Sequence, residues 1–169
     1  MTSPNAVRNP LRDFAVKVNQ YPNWLSSKLL TWMFRFKVKL TGTVGIEVLE
    51  TDLKRVVFRQ KNRKKVQNHI GSVHAAGMAL LAESATGFIV GANLPGDKLP
   101  LIKTMKLDYV KRATGDMQAE AWLTNEQIQQ LIEQDKGEVT VNVKVTDAKG
   151  IEPVICEMIW AWIPKNKRV

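Results

Sequence analysis

The sequence predicts an α+β domain: an antiparallel sheet of about six strands wrapped around one buried central helix, with two helices ahead of it. Three observations predict it. The stretch from Ala75 to Val90 is apolar or small nearly all round, as in a helix buried on every side. Two short alternating segments precede it, and four alternating segments follow it. Adjacent strands in sequence pair antiparallel, and a single wrapped helix supplies the core they must cover.

The chain has 169 residues, enough for one domain with a sizeable core. Apolar residues make up 44% and charged residues 24%, the balance of an ordinary globular protein. The net charge of +9 favours an anionic partner: a nucleotide-bearing ligand, nucleic acid or an acidic membrane surface. The one cysteine, Cys156, excludes a disulfide framework or cysteine metal cluster within one chain and fits a reducing, cytoplasmic compartment. No metal site is expected. Met1 to Pro10 is polar and does not read as a secretory signal.

Residues 1–7 read as a loose tail. Asn9-Pro10 opens an amphipathic helix carrying Leu11, Phe14, Ala15 and Val18, and Tyr21-Pro22-Asn23 breaks it. A second helix is expected from Trp24 to about Phe36, with Lys28, Arg35, Lys37 and Lys39 on its flank. A pair of docked helices accounts for this pattern; a surface touching membrane or an acyl chain is the sharper alternative. Thr41-Gly42-Thr43 reads as a turn. Val44, Ile46 and Val48, then Val56 and Phe58, alternate as a two-stranded hairpin. Three units follow: a helical extension over 1–41, the main domain over 42–163 and a basic tail over 164–169.

Arg59 to Lys65 holds five basic residues in a run of seven and leads directly into the central stretch. Between Val66 and Gly96 the only formally charged residue is Glu83. An unpaired carboxylate is costly to bury, so either the fold tolerates Glu83 at that cost or the residue faces a cavity and does chemistry. Both histidines, His69 and His74, lie just before the helix, beside Asn68, Gly71 and Ser72. Val73 to Val90 is long enough to cross a membrane, but Glu83 near its middle would cost roughly 2.5–3.5 kcal/mol there. A core helix is therefore expected, without stable membrane insertion.

Beyond it, Leu94-Pro95-Gly96-Asp97 turns the chain. Met105, Leu107 and Tyr109 alternate as a third strand, and Met117, Ala119, Ala121 and Leu123 as a fourth. Thr124 to Gln127 has the spacing of a capping box, with Ile128, Leu131 and Ile132 on a short helix behind it. The valines at 139, 141, 143 and 145 make a fifth strand. Val154, Cys156, Met158, Trp160 and Trp162 make one face of a sixth.

This order resembles the hotdog fold, and the likeness extends to residues. Asn68-x-x-Gly71-x-x-His74-Ala75-Ala76, followed by Leu81-Ala82-Glu83, is similar without a gap to the Asn-x-x-Gly-x-x-His-Gly-Gly motif and helix acid of phenylacetyl-CoA thioesterase-like proteins. Leu107 to Ala121 is similar to the passage between the family's third and fourth strands. The resemblance covers roughly residues 42–163. The two leading helices look like the extension of an uncharacterised bacterial subgroup. Two departures stand out: Ala75-Ala76 replaces the Gly-Gly pair, and Glu83 stands where the closest pattern has Asp. Some relatives place a Ser at the start of the third strand. Ile102 falls there, which leaves Thr104, expected to face the same way, and Lys103 as polar candidates for substrate contact.

The resemblance implies an acyl-CoA or acyl-carrier thioesterase working as a homodimer or dimer of dimers. Coenzyme A enters as part of the substrate, and no separate cofactor is needed. Amides of Ala75 and Ala76 at the helix N-terminus would hold the thioester oxygen. Glu83 from the partner helix would activate water or attack directly, and Asn68 would hold carbonyl or water. His74 caps the helix or transfers a proton. Ser72 is expected to cap the helix, with Gly71 beside it at the substrate. Arg63, Lys64, Lys65, Lys111 and Arg112 are candidate phosphate contacts for coenzyme A. Met78, Phe88, Met105 and Trp122 are the apolar candidates for an acyl pocket.

Three other readings compete. A non-catalytic acyl-CoA or lipid-binding module would follow if Ala75-Ala76 closes the reaction. A dehydratase or hydratase lacks its His-Phe-Pro-Gly or Asp/His signature. A nucleic-acid binder rests on charge alone, with neither recognition helix nor stacking face, so no nucleic acid is expected as partner.

Overall fold

The computed structural model describes residues 7–165. The tails expected over 1–7 and 164–169 fall mostly outside that range. Within it, Pro164 closes the last strand and Lys165 is held, its Nζ donating to the Gly96 carbonyl at 2.8 Å.

Three helices come first: α1 (Pro10–Val18), α2 (Asn23–Lys37) and α3 (Lys39–Val44). Asn9 starts α1: its Oδ1 accepts from the Arg12 amide at 2.8 Å, and Pro10 follows at a position where its missing N–H costs nothing. The turn expected at Thr41-Gly42-Thr43 is instead inside α3. The chain turns one step later at Gly45, whose φ of 79° is the left-handed value that favours glycine.

The sheet comprises β1 (Ile46–Thr51), β2 (Arg55–Gln60), β3 (Lys98–Tyr109), β4 (Met117–Trp122), β5 (Gly137–Asp147) and β6 (Val154–Pro164). Their order across the sheet is β1-β2-β4-β5-β6-β3, every pair antiparallel. The central helix α4 (Ala75–Asn93) packs across the sheet from β2 through β4, β5 and β6 to β3. The short helix α5 (Asn125–Glu133) opens with the expected capping box, Thr124 and Gln127 each bonding the other's backbone. This is the hotdog arrangement. The alternating strands put Val139, Val141 and Val145 of β5, and Met158, Trp160 and Trp162 of β6, against α4. The helix is long and apolar enough to cross a membrane, yet it is the element the sheet wraps.

The leading helices share this core rather than forming their own. Phe34 of α2 meets Phe58 of β2 edge-on at 5.1 Å and Phe88 of α4 at 5.8 Å. Side chains of α2 also occupy the outer edge of β1. Arg35 Nε donates to the Ile46 carbonyl at 2.7 Å, Ser27 Oγ to the Val48 carbonyl at 2.7 Å, and Thr31 Oγ1 accepts from the Val48 amide at 2.9 Å. One edge of the sheet is thus blunted. The other edge, β3, is twelve residues long and begins seven residues earlier than the alternation at Met105 indicated. It carries Leu99, Leu101, Ile102, Met105 and Tyr109 exposed.

Candidate active site

The loop from Gln67 to Val73 aims the start of α4, and Asn68 organises it. Its Oδ1 accepts from the amides of Ile70 and Ser72, both at 3.1 Å, and its amide donates to the Ser72 carbonyl at 2.9 Å. With Oδ1 committed, the amide nitrogen Nδ2 is the group left to face a ligand. Gly71 sits at a φ of 78°, so the turn requires glycine there. Ser72 does not cap the helix as expected. It is buried, and its Oγ donates to the Ala113 carbonyl at 2.9 Å, tying the loop to the strand connection opposite.

The cap is His74. Its Nδ1 accepts from the Ala76 amide at 3.0 Å, and its own amide donates to the Val66 carbonyl at 2.8 Å. This corrects the expected pair of free amides: the Ala76 N–H is taken. Among the described residues, the Ala75 N–H is the first-turn donor without an acceptor. The Tyr109 hydroxyl, a group the sequence did not mark, donates to the Ala75 carbonyl at 2.7 Å. Burial, with the neighbouring Cys156, raises the Tyr109 pKa and keeps it a donor. His69 is exposed.

Glu83 is half-buried on α4 with no salt bridge among the described residues. Burial raises its pKa, and the adjacent Ser84 hydroxyl offsets this only in part. The Ser84 Oγ is fully enclosed and makes no hydrogen bond of good geometry among the described residues. Both residues line an apolar groove of about 550 Å³ between α4 and the leading helices. Of the apolar pocket candidates, Phe88 lines this groove; Met78 and Met105 do not, and Trp122 lies on the outer face of β4. Ser84, Gly87 and Gly91 were legible only as spacing: with Glu83, the glycines recur every fourth residue.

Lys103 and Thr104 point the wrong way for substrate. A β-bulge between Ile102 and Thr104 leaves Lys103 unpaired and sets Thr104 opposite Ile159 on the outer face. Lys103 pairs with Glu138 on that face. Beyond the bulge Met105, Leu107 and Tyr109 return to the helix side. The phosphate candidates divide as well. Lys65 Nζ donates to the Thr43 carbonyl at 2.6 Å, and an Arg63 guanidinium nitrogen lies 3.9 Å from Glu47, so both fold toward α3 and β1. Arg112 donates to the Ile70 carbonyl at 3.1 Å, beside the loop that starts α4. Lys64 and Lys111 are exposed at the same end of the domain.

Cys156 is half-buried on β6. Burial, aided by the Glu152 charge, pushes its thiol up to about 11. No cluster of metal-ligating side chains occurs among the described residues.

The model of a family described as "Domain of unknown function (DUF4442)" matches residues 26–163. The chain belongs to the DUF4442 family. No curated protein matches this DUF4442 chain. Solved structures do. A Pseudomonas aeruginosa protein of unknown function, PA5026, described as "Probable Thioesterase", is 24% identical over 82% of this chain and 95% of its own, with a TM-score of 0.74. Thioesterase HI1161 of Haemophilus influenzae is 12% identical, with 76% and 85% covered and a TM-score of 0.64. A mutant of thioesterase PA1618 of P. aeruginosa is 13% identical, with 80% and 94% covered and a TM-score of 0.64. At these identities the likeness establishes the hotdog fold for this DUF4442 protein.

Proposed function

We propose that this DUF4442 protein is a thioesterase that hydrolyses an acyl-CoA or acyl-carrier thioester as a homodimer. One observation carries the reading: a half-buried carboxylate of raised pKa, with no salt bridge among the described residues, lines an apolar groove. The names of the structural neighbours agree with it.

Glu83 lies eight residues beyond Ala75, about 12 Å along α4. It does not reach the carbonyl site at its own helix N-terminus. The open β3 edge, with apolar Ile102 and Met105 toward the helix side, fits a second copy that brings the two helices together. In that dimer the thioester oxygen accepts from the Ala75 N–H of one protomer, where the helix dipole favours negative charge, and from Asn68 Nδ2. Glu83 of the other takes a proton from water. The hydroxide oxygen bonds to the carbonyl carbon, the C–S bond breaks, and the thiolate leaves to take up a proton. Lys64, Lys111 and Arg112 stand at the same end for the phosphates of coenzyme A.

The second reading is a non-catalytic acyl-CoA-binding module on the same fold. The methyls of Ala75 and Ala76, together with the occupied Ala76 amide, favour it. Thiol release from short, aryl and long acyl-CoAs, measured for wild type and Glu83→Ala, separates the two. The thioesterase reading expects turnover that disappears in a variant that still folds and dimerises. Acyl-CoA binding with no turnover in either form would move the assignment to the binding module.

A further inference from the structure

The groove beside Glu83 has a shape that selects its occupant. Its floor is one face of α4, where Glu83, Gly87 and Gly91 follow one another at i, i+4 and i+8. A Cβ at 87 would lie 2.7 Å from the Trp160 ring and one at 91 would lie 3.3 Å from the Leu11 side chain, so the glycines let these two walls close onto the floor. Its walls are Leu11 and Phe14 of α1, Met33 of α2 and Trp160 of β6. From Glu83 to Leu94 the helix rises about 16 Å, the length of roughly a dozen extended carbons. Asn9 holds the far end by donating to the Leu94 carbonyl at 2.8 Å.

We propose that this groove holds the alkyl chain of a medium-length fatty acyl thioester, with the carbonyl at Glu83 and the chain running under α1 and α2. The placement of the carbonyl rests on the thioesterase reading; the groove's selectivity does not. The leading helices then act as the gauge of chain length. Calorimetry with two non-hydrolysable thioethers, S-dodecyl-CoA and S-butyl-CoA, tests it without turnover. Wild type should bind the dodecyl compound at least about tenfold more tightly. Met33→Trp, which fills the middle of the groove, should bring the two within about twofold. Should that variant melt early, Phe14→Ala, which widens the same wall, should shift preference toward a longer chain. Equal affinity for both thioethers in wild type, or a dodecyl preference that survives Met33→Trp in a folded variant, overturns the proposal. Tight dodecyl binding without hydrolysis of dodecanoyl-CoA overturns the thioesterase reading and leaves the groove standing.

A separate observation concerns the opposite face of α2. Trp24, Trp32 and Phe36 are 64%, 65% and 68% exposed, and Leu40 of α3 continues their line. Trp32 and Phe36 stack at 6.1 Å, while Lys28 and Lys37 lie over Trp24 and Phe36 at 5.3 and 5.9 Å. The nearby carboxylates are both paired: Glu47 with Arg59 at 2.7 Å and Lys61 at 3.3 Å, and Glu50, beside Trp24, with Arg55 at 2.7 Å. The face is therefore aromatic and positive, and a second copy would set like charges together.

We infer that this face rests on an anionic bilayer surface, with rings at headgroup depth and lysines at the phosphates. Co-sedimentation with vesicles of phosphatidylcholine, alone or mixed with phosphatidylglycerol, tests it. Binding should require phosphatidylglycerol and weaken with salt. It should fall about tenfold in the Trp24→Ser, Trp32→Ser, Phe36→Ser triple variant. Absence of binding, or equal binding by the variant, overturns the inference. Self-association in solution that the variant abolishes would assign the face to a second copy instead.

Discussion

The imidazole of His74 serves the helix it precedes: its Nδ1 accepts the Ala76 amide at 3.0 Å. A capping role and a proton-transfer role predict different variants. Asn at this position can still accept from the first turn, whereas Ala cannot. His74→Ala should cost about 1 kcal/mol of stability, and His74→Asn a smaller amount. Denaturant melts measure both. If thiol release survives in His74→Asn, the histidine positions the helix and does not move protons.

Glu83 should set the acid side of the pH–rate profile. Its pKa is raised by burial, so turnover should climb through a midpoint above the ordinary carboxylate range as the base form appears. The sign for stability is the opposite. A folded pKa above the unfolded value makes its contribution present at low pH and lost as pH rises through the folded pKa. Glu83→Gln, neutral at every pH, should therefore melt at or above wild type at neutral pH while turnover falls about 10²–10⁴-fold. A melting point well below wild type at neutral pH would show that the carboxylate is structurally paired.

Gly87 should tolerate no larger residue. A Cβ there would lie 2.7 Å from the Trp160 ring, which is buried and fixed by its Nε1 donating to Thr86 Oγ1 at 2.9 Å. Gly87→Ala should destabilise the protein by about 1–3 kcal/mol despite the better helix propensity of alanine. Pairing it with Trp160→Phe should recover part of that loss, read from chemical denaturation of the double variant.

The β3 edge should carry the dimer. Ile102 and Met105 face the helix side and are exposed in the single chain. Ile102→Glu with Met105→Glu should yield a folded monomer in analytical ultracentrifugation, with turnover lost because Glu83 no longer meets a partner's helix N-terminus. An active monomer would place the whole reaction within one chain.

Much of the fold was written in periodicity. Strict alternation at Met117–Leu123, Val139–Val145 and Val154–Trp162 named the inward faces, because a strand buried on one side has a period of two. The all-round apolar run at Ala75–Val90 named the central helix for the same kind of reason, and the lone Glu83 within it marked a candidate site. Local chemistry also sufficed for the Asn9 start of α1 and the Thr124–Gln127 box of α5.

Tertiary structure decided what sequence spacing could not. The roles of two loop residues were set this way: His74, directly before the helix, caps α4, while Ser72, two residues earlier, donates to the Ala113 carbonyl. The bulge at Lys103 turned Thr104 to the outer face, since one extra residue reverses every side chain beyond it. The full length of β3 was hidden because an edge strand with exposed residues on both faces has no clean alternation. The groove beside Glu83 was invisible for a similar reason. Its floor and walls come from residues near 87 and near 11, 33 and 160, and only packing α1 and α2 against α4 brings them to one place.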